Sequence, residues 1–286
     1  MTSSAIFVET LSMTMRKMPV PPGWAEPLEV YRFALLGSGR SIATTTLRVD
    51  YMRRFARAMR VGPWDVTTAD ILEWSAVNSW ARDTRRSALA SVRGFYGWAK
   101  TEGHPMRMDV EKIPTIRASS PAPRPADDLA IRRAMRSEDP RVRLAVRLAA
   151  FLGLRRAEVA RVRVSDVVED LLGFSLIVHG KGGKPRTIPI TADLAQEIRD
   201  QGPGYVFPGA DHGHLSPAWI GTLVGRELPS GVTMHSLRHR FATAAYERTG
   251  DLVGVQRVLG HTSPQTTLRY LAIADASLRR VVESAS

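Results

Sequence analysis

Cysteine is absent from all 286 residues, which excludes disulfides and thiolate metal sites. That absence fits a reducing cytoplasm. No stretch approaches the roughly 20 apolar residues that a membrane span needs. Met1 to Met18 lack a basic start followed by an apolar run, so no signal peptide is expected. Met13, Met15 and Met18 are each plausible starts, which leaves the true N-terminus open. Lysine is scarce, with Lys17, Lys100, Lys112, Lys181 and Lys184 standing beside 35 arginines. Gly180-Lys181-Gly182-Gly183-Lys184 lacks the spacing of a Walker phosphate loop. His212, His214, His235, His239 and His261 show no His-Glu-x-x-His or comparable ligand spacing, so no metal site is expected. No internal repeat is evident.

What is present is apolar bulk and positive charge. An apolar content of 44% can build real cores, which argues against a largely disordered chain. The formal net charge is +12. Residues 1–113 carry 16 Lys/Arg against 11 Asp/Glu, and residues 114–286 carry 24 against 17. Two separately basic halves fit a clamp around a polyanion. A soluble protein that is simply rich in arginine fits the charge equally well. Arginine suits bidentate phosphate contacts better than lysine, although a GC-rich genome would give the same bias.

Two proline-rich stretches, Pro19 to Pro27 and Pro114 to Pro125, read as breaks. They divide the chain into an N-terminal segment 1–27, a helical domain 28–113, a linker 114–126 and a second domain 127–286. In the first domain Leu47, Tyr51, Phe55 and Met59 recur every four residues. Thr67-Thr68-Ala69-Asp70 opens another helix with capping residues. A third is predicted over 84–100, with Leu89, Val92, Phe95 and Ala99 inward and Gly103 ending it. After the linker, 140–152 reads as a helix followed by a turn at Gly153. Phe174 to Val178 and Arg186 to Ile190 alternate as strands. Ser216-Pro217 and Ser263-Pro264 each give a cap followed by proline at the first helical position. The expected fold is mainly α with a small antiparallel β-sheet.

The chemistry is concentrated in one ordered set. Arg155 lies in Gly153-Leu154-Arg155-Arg156-Ala157-Glu158, and Lys181 in the glycine-flanked segment. His235-Ser236-Leu237-Arg238 follows, then Gly260-His261, then Tyr270. Arg238 to His261 is 23 residues and His261 to Tyr270 is 9. Two guanidinium forks, a lysine, two imidazoles and a phenol suit a phosphodiester exchange with tyrosine attacking. A phenol with an ordinary pKa near 10 is a poor nucleophile, and cationic neighbours favour its anion.

In this order and spacing the residues resemble the tyrosine recombinases, the phage integrase and Xer family. The resemblance covers about residues 28–283 and implies a two-domain DNA clamp. It places Arg155 and Arg238 on the non-bridging phosphate oxygens and makes Tyr270 the nucleophile. Lys181 becomes the general acid for the departing 5′ oxygen, with Lys184 a rival for that role. His235 and His261 would bond the phosphate or shuttle the tyrosine proton. Glu158 would orient the arginines, or would be a plain surface carboxylate. The helical region resembles a core-binding domain, in which Arg53, Arg54, Arg85, Arg86 and Arg93, with Lys184 of the second domain, could reach DNA phosphates. A solvated helix face is the competing reading.

The implied activity is cutting and rejoining DNA through a 3′-phosphotyrosyl intermediate, with no cofactor. The implied partners are double-stranded DNA core sites, four protomers on two sites, and an accessory or directionality factor. No membrane is involved, and the expected location is the cytoplasm, at the nucleoid. Only about 25 residues precede the first domain, too few for an arm-site-binding fold. A phage integrase and a Xer-like resolvase both fit. A type IB topoisomerase or a silent DNA-binding factor fits less well. The tail from Ala272, with Leu278, Val281 and Val282 at helical spacing, would dock on a neighbouring protomer.

Overall fold

The computed structural model describes residues 18–119, 124–180 and 184–260. The chain divides into two compact units, Met1–Ser120 and Pro121–Ser286.

The first unit is helical: α1 (Pro22–Gly37), α2 (Ile42–Ala58), α3 (Thr68–Val77) and α4 (Arg82–Thr101), then a 3₁₀ turn at Val110–Lys112. The prolines at 19–27 do not act as a break, because α1 starts at Pro22 and runs through Pro27. Pro22 stands where the first helical N–H has no partner in any case. Pro27 gives up one bond, at a cost of about 3 kcal/mol. Burial of Trp24, Leu28 and Tyr31 offsets it, at about 1.5–3 kcal/mol for each large apolar side chain.

The stripe expected on α2 is also shifted. Its buried residues are Thr45, Val49, Met52, Phe55 and Ala56, while Leu47 is 51% exposed. A strict spacing of four rotates away from one face, since the helix repeats every 3.6 residues. The other two helices follow the sequence. Thr67 N–H donates to Asp70 Oδ2 at 2.8 Å and Asp70 N–H to Thr67 Oγ1 at 3.3 Å, a reciprocal cap. Leu89, Val92, Phe95 and Ala99 of α4 are buried. Gly103 then takes φ +76°. The core is aromatic, with Phe55 edge-on to Trp24 and Trp74 at 5.7 and 4.8 Å between ring centres.

The second unit holds α5 (Asp128–Ala134), α6 (Pro140–Ala150) and a four-residue helix α7 (Arg156–Val159). Strands β1 (Val167–Asp170), β2 (Gly173–His179) and β3 (Pro185–Ile190) follow, then α8 (Ala192–Arg199) and β4 (Pro208–Asp211). Helices α9 (Pro217–Glu227), α10 (Met234–Thr249) and α11 (Leu252–Leu259) complete it. The antiparallel sheet has order β1-β2-β3, with Leu176 opposite both Val167 and Ile188. The sequence foresaw β2 and β3. It did not foresee β1, whose four residues include Glu169 and Asp170 and show too little alternation, nor the short β4. Ser216 caps α9 by accepting from Trp219 N–H at 3.1 Å. The helix start at Ser263-Pro264 and the tail after Ala272 lie outside the described residues.

Helix α6 is buried on most sides, and the chain leaves it through Gly153 at φ +68°. A Cβ there would stand 2.5 Å from Phe241 Cδ1 and 2.8 Å from Leu259 Cδ2. Gly153→Ala combines a left-handed backbone cost of roughly 1–2 kcal/mol with overpacking of similar size. Urea unfolding should show a loss of about 2–4 kcal/mol from these two sources. A loss well under 1 kcal/mol would mean that Phe241 and Leu259 simply move aside.

Candidate active site

The turn at Gly153 delivers Arg155 to the start of α7. Arg155 N–H donates to Glu158 Oε2 at 2.8 Å, and its Nη1 donates to Glu158 Oε1 at 2.9 Å. Glu158 is 3% exposed, so the surface-carboxylate reading does not hold. From β3, Arg186 grips both oxygens of the same carboxylate, Nη1 to Oε1 and Nη2 to Oε2, each at 2.9 Å. Arg238 Nη1 stands 3.7 Å from Oε2. Burial pushes the Glu158 carboxyl upward; the Arg186 bonds, the Arg155 N–H and both arginine charges outweigh it, and its pKa falls below the ordinary value.

The same three arginines close the carbonyl end of α11. Arg186 Nε donates to Val258 O at 2.6 Å and Arg238 Nη2 to Leu259 O at 2.7 Å. Arg155 reaches Leu259 O and Gly260 O at 3.4 Å each. Arg238 also donates to Gly153 O. Guanidinium groups suit this place because the last carbonyls of a helix lack internal partners and carry partial negative charge.

Arg155, Arg238 and His235 line one cavity of about 680 Å³, together with Arg156, Thr233 and Met234. His235 stands on the first turn of α10, edge-on to His239 at 4.2 Å. Partial desolvation, then the charges of Arg238 and Arg155, hold the His235 pKa below the ordinary imidazole value. Burial, His235 and Arg238 push His239 down to about 4.

The phage integrase family profile matches residues 128–277. The chain belongs to that family, the tyrosine recombinases. The enzyme is 33% identical over 223 residues to a tyrosine recombinase XerC of Bradyrhizobium diazoefficiens, covering 69% of this chain and 70% of the relative. It is 29% identical over 271 residues to XerA of Pyrococcus horikoshii, covering 90% and 93%. In fold it is similar to a lambda integrase fragment in a dimer bound to a core site, with a TM-score of 0.68 at 21% identity over 86% and 94% of the two chains.

Of the residues singled out from the sequence, the structure brings Arg155, Glu158, His235 and Arg238 together. Lys181, His261 and Tyr270 lie outside the described residues. Lys184 is exposed at the base of the β2–β3 hairpin, its carbonyl accepting from Gly180 N–H at 3.1 Å. In the helical unit several arginines have internal partners. Arg53 stands 3.4 Å from Glu29 and 3.8 Å from Asp50, and Arg54 lies 5.7 Å from the Tyr51 ring centre. Arg85 donates to Asn78 O at 3.1 Å and Arg93 to Ile113 O. Arg86 is exposed.

Sequence reasoning missed Arg186, although a signal existed. It shares strand parity with the buried Ile188 and Ile190, so a charge stands at an inward position. Arg156 and His239 were missed as well, each lying one residue beyond a site arginine.

The lowered His239 pKa has a defined consequence. Between about pH 4 and 6.5 the unfolded chain binds a proton there that the folded chain does not. Stability from this group is therefore complete above about 6.5 and lost as pH falls toward 4. The melting temperature should drop less between about pH 7 and pH 5 in His239→Asn than in the wild type. Equal drops would remove His239 from the acid response.

Proposed function

We propose that this chain is a site-specific DNA recombinase in which Tyr270 attacks a backbone phosphate held by Arg155 and Arg238. The observation that carries this reading is the joint placement of Arg155, His235 and Arg238 at one cavity, with Glu158 buried behind the arginines.

The Tyr270 phenol gives up its proton to a histidine, His235 or His261, and its oxygen bonds to phosphorus. The phosphorus–O5′ bond breaks, and the departing oxygen takes a proton from Lys181. The products are a 3′-phosphotyrosine and a free 5′ hydroxyl. The phosphoester is conserved, so a second 5′ hydroxyl can reverse the step with no energy source. Two guanidinium forks suit the developing charge because they remain protonated and offer paired donors. His235, with its lowered pKa, suits a neutral imidazole that bonds a phosphate oxygen or relays a proton. Duplex core sites, a working unit of four protomers on two sites, a directionality partner and a cytoplasmic, nucleoid-bound location complete the proposal. The family membership and the basic charge of both halves support it.

Tyr270→Phe should retain DNA binding and form no covalent complex on a nicked suicide substrate, resolved on a denaturing gel. Covalent product at wild-type yield would remove Tyr270 as the nucleophile. Lys181→Ala should cleave about 10²–10⁴-fold more slowly. A 5′-bridging phosphorothioate, whose sulfur leaves without a proton, should restore much of that rate. Rescue of Lys184→Ala in its place would transfer the role to Lys184.

A further inference from the structure

One carboxylate and three guanidinium groups meet behind the cavity. Among the described residues, Glu158 offsets one of the three positive charges. A phosphodiester carries one negative charge, and attack by a phenolate adds a second in the transition state. Guanidinium charge that Glu158 does not take up can meet it, so the way the three arginines divide Glu158 matters.

They divide it unequally. Arg186 spends both terminal nitrogens on the carboxylate and its Nε on Val258 O, and its side chain is only 12% exposed. Arg155 gives Glu158 one side-chain nitrogen, while Arg238 stands at 3.7 Å. Arg155 and Arg238 line the cavity, and Arg186 is not among its lining residues.

We infer that Arg186 is a positioning residue for strand cleavage: it saturates Glu158 and so leaves Arg155 and Arg238 to the DNA phosphate. This rests on the recombinase reading above. With Arg186 gone, both Glu158 oxygens lose a donor. Arg155 can then turn to a bidentate grip on Glu158, and Arg238 can close its 3.7 Å gap. Each movement takes positive charge off the phosphate. Arg186 also lies beside Gly180, the last described residue before Lys181 in sequence, since a Cβ on Gly180 would lie 3.7 Å from Arg186 Nη1.

The test uses the full chain on nicked suicide duplexes of core sequence, with enzyme in excess. Arg186→Gln should slow cleavage by about 10²-fold, the scale of a 1 Å misplacement, with DNA affinity little changed. Glu158→Gln combined with Arg186→Gln restores the wild-type charge balance, so it should cleave about tenfold faster than Arg186→Gln alone. A purely structural ion pair allows the same recovery, because the double variant leaves no unmatched buried charge, so a second substrate separates the two roles. A double variant no faster than the single would overturn the inference. An uncharged methylphosphonate at the scissile position lowers the charge to be balanced, and the Arg186→Gln deficit should shrink on it. An undiminished deficit would likewise overturn the inference. If Arg186→Gln fails to fold by circular dichroism, Arg186→Lys, which keeps the charge but loses the fork, is compared on the two substrates by the same criterion. No covalent product from the wild type on core DNA would defeat the recombinase reading instead.

Discussion

Glu158 sets the terms for everything around it. A carboxylate at 3% exposure is stable only when its desolvation is offset by charge and hydrogen bonds. Here the offset comes from the Arg155 backbone N–H at the start of its own helix and from guanidinium groups far apart in sequence. Arg155 is three residues away, Arg186 is on a strand, and Arg238 is on a later helix. Removing one partner of such a cluster typically costs about 3–5 kcal/mol, because the remaining charge stays buried. The carboxylate therefore ties α7, β3 and α10 into one arrangement, and two of its three arginines also line the cavity.

The end of α11 is the second half of that constraint. Its last carbonyls would be unsatisfied in the interior, and the same three arginines satisfy them. A guanidinium has five N–H donors in a fixed plane. One or two can hold carbonyl groups while others face a ligand, which reconciles the burial of Arg238 at 2% exposed with its place on the cavity wall. Gly153 belongs to this junction, because its carbonyl accepts from Arg238 and its missing side chain makes room for Phe241 and Leu259. Geometry here is fixed by interlocking donors and carbonyls, and less by regular secondary structure.

Much of this was legible in the sequence, and the failures have physical causes. Leu89, Val92, Phe95 and Ala99 marked the inner face of α4 because their spacing tracks the helical turn. Ser216-Pro217 marked the start of α9 because capping and the first helical position are local chemistry. The order of Arg155, His235 and Arg238 pointed to one site. Local rules read a break where α1 begins, because burial of Trp24 and Tyr31 overrides an internal Pro27. They also missed β1, which is specified by pairing with β2 more than by its own residues. Arg186 escaped notice because its role depends on Glu158 and Val258, 28 and 72 residues away. Strand parity marks Arg186 as facing inward, but no local pattern names a partner at that distance.

The helical unit poses a different question, since its positive charge is not equally available. Arg53, Arg85 and Arg93 already hold a carboxylate or a carbonyl. To meet a DNA phosphate, each would exchange one bond for another, and the net gain would be small. Arg40, Arg60, Arg82 and Arg86 are exposed, so contact with a phosphate would cost them little internal bonding. It would also release counterions from the DNA, which is the main source of sequence-independent affinity. On that ground the choice among arginines turns on what each already holds. Arg86 is the strongest of the DNA-contact candidates in this unit, and Arg93, turned to the Ile113 carbonyl, has the clearer role in holding the chain beyond α4 against its own core.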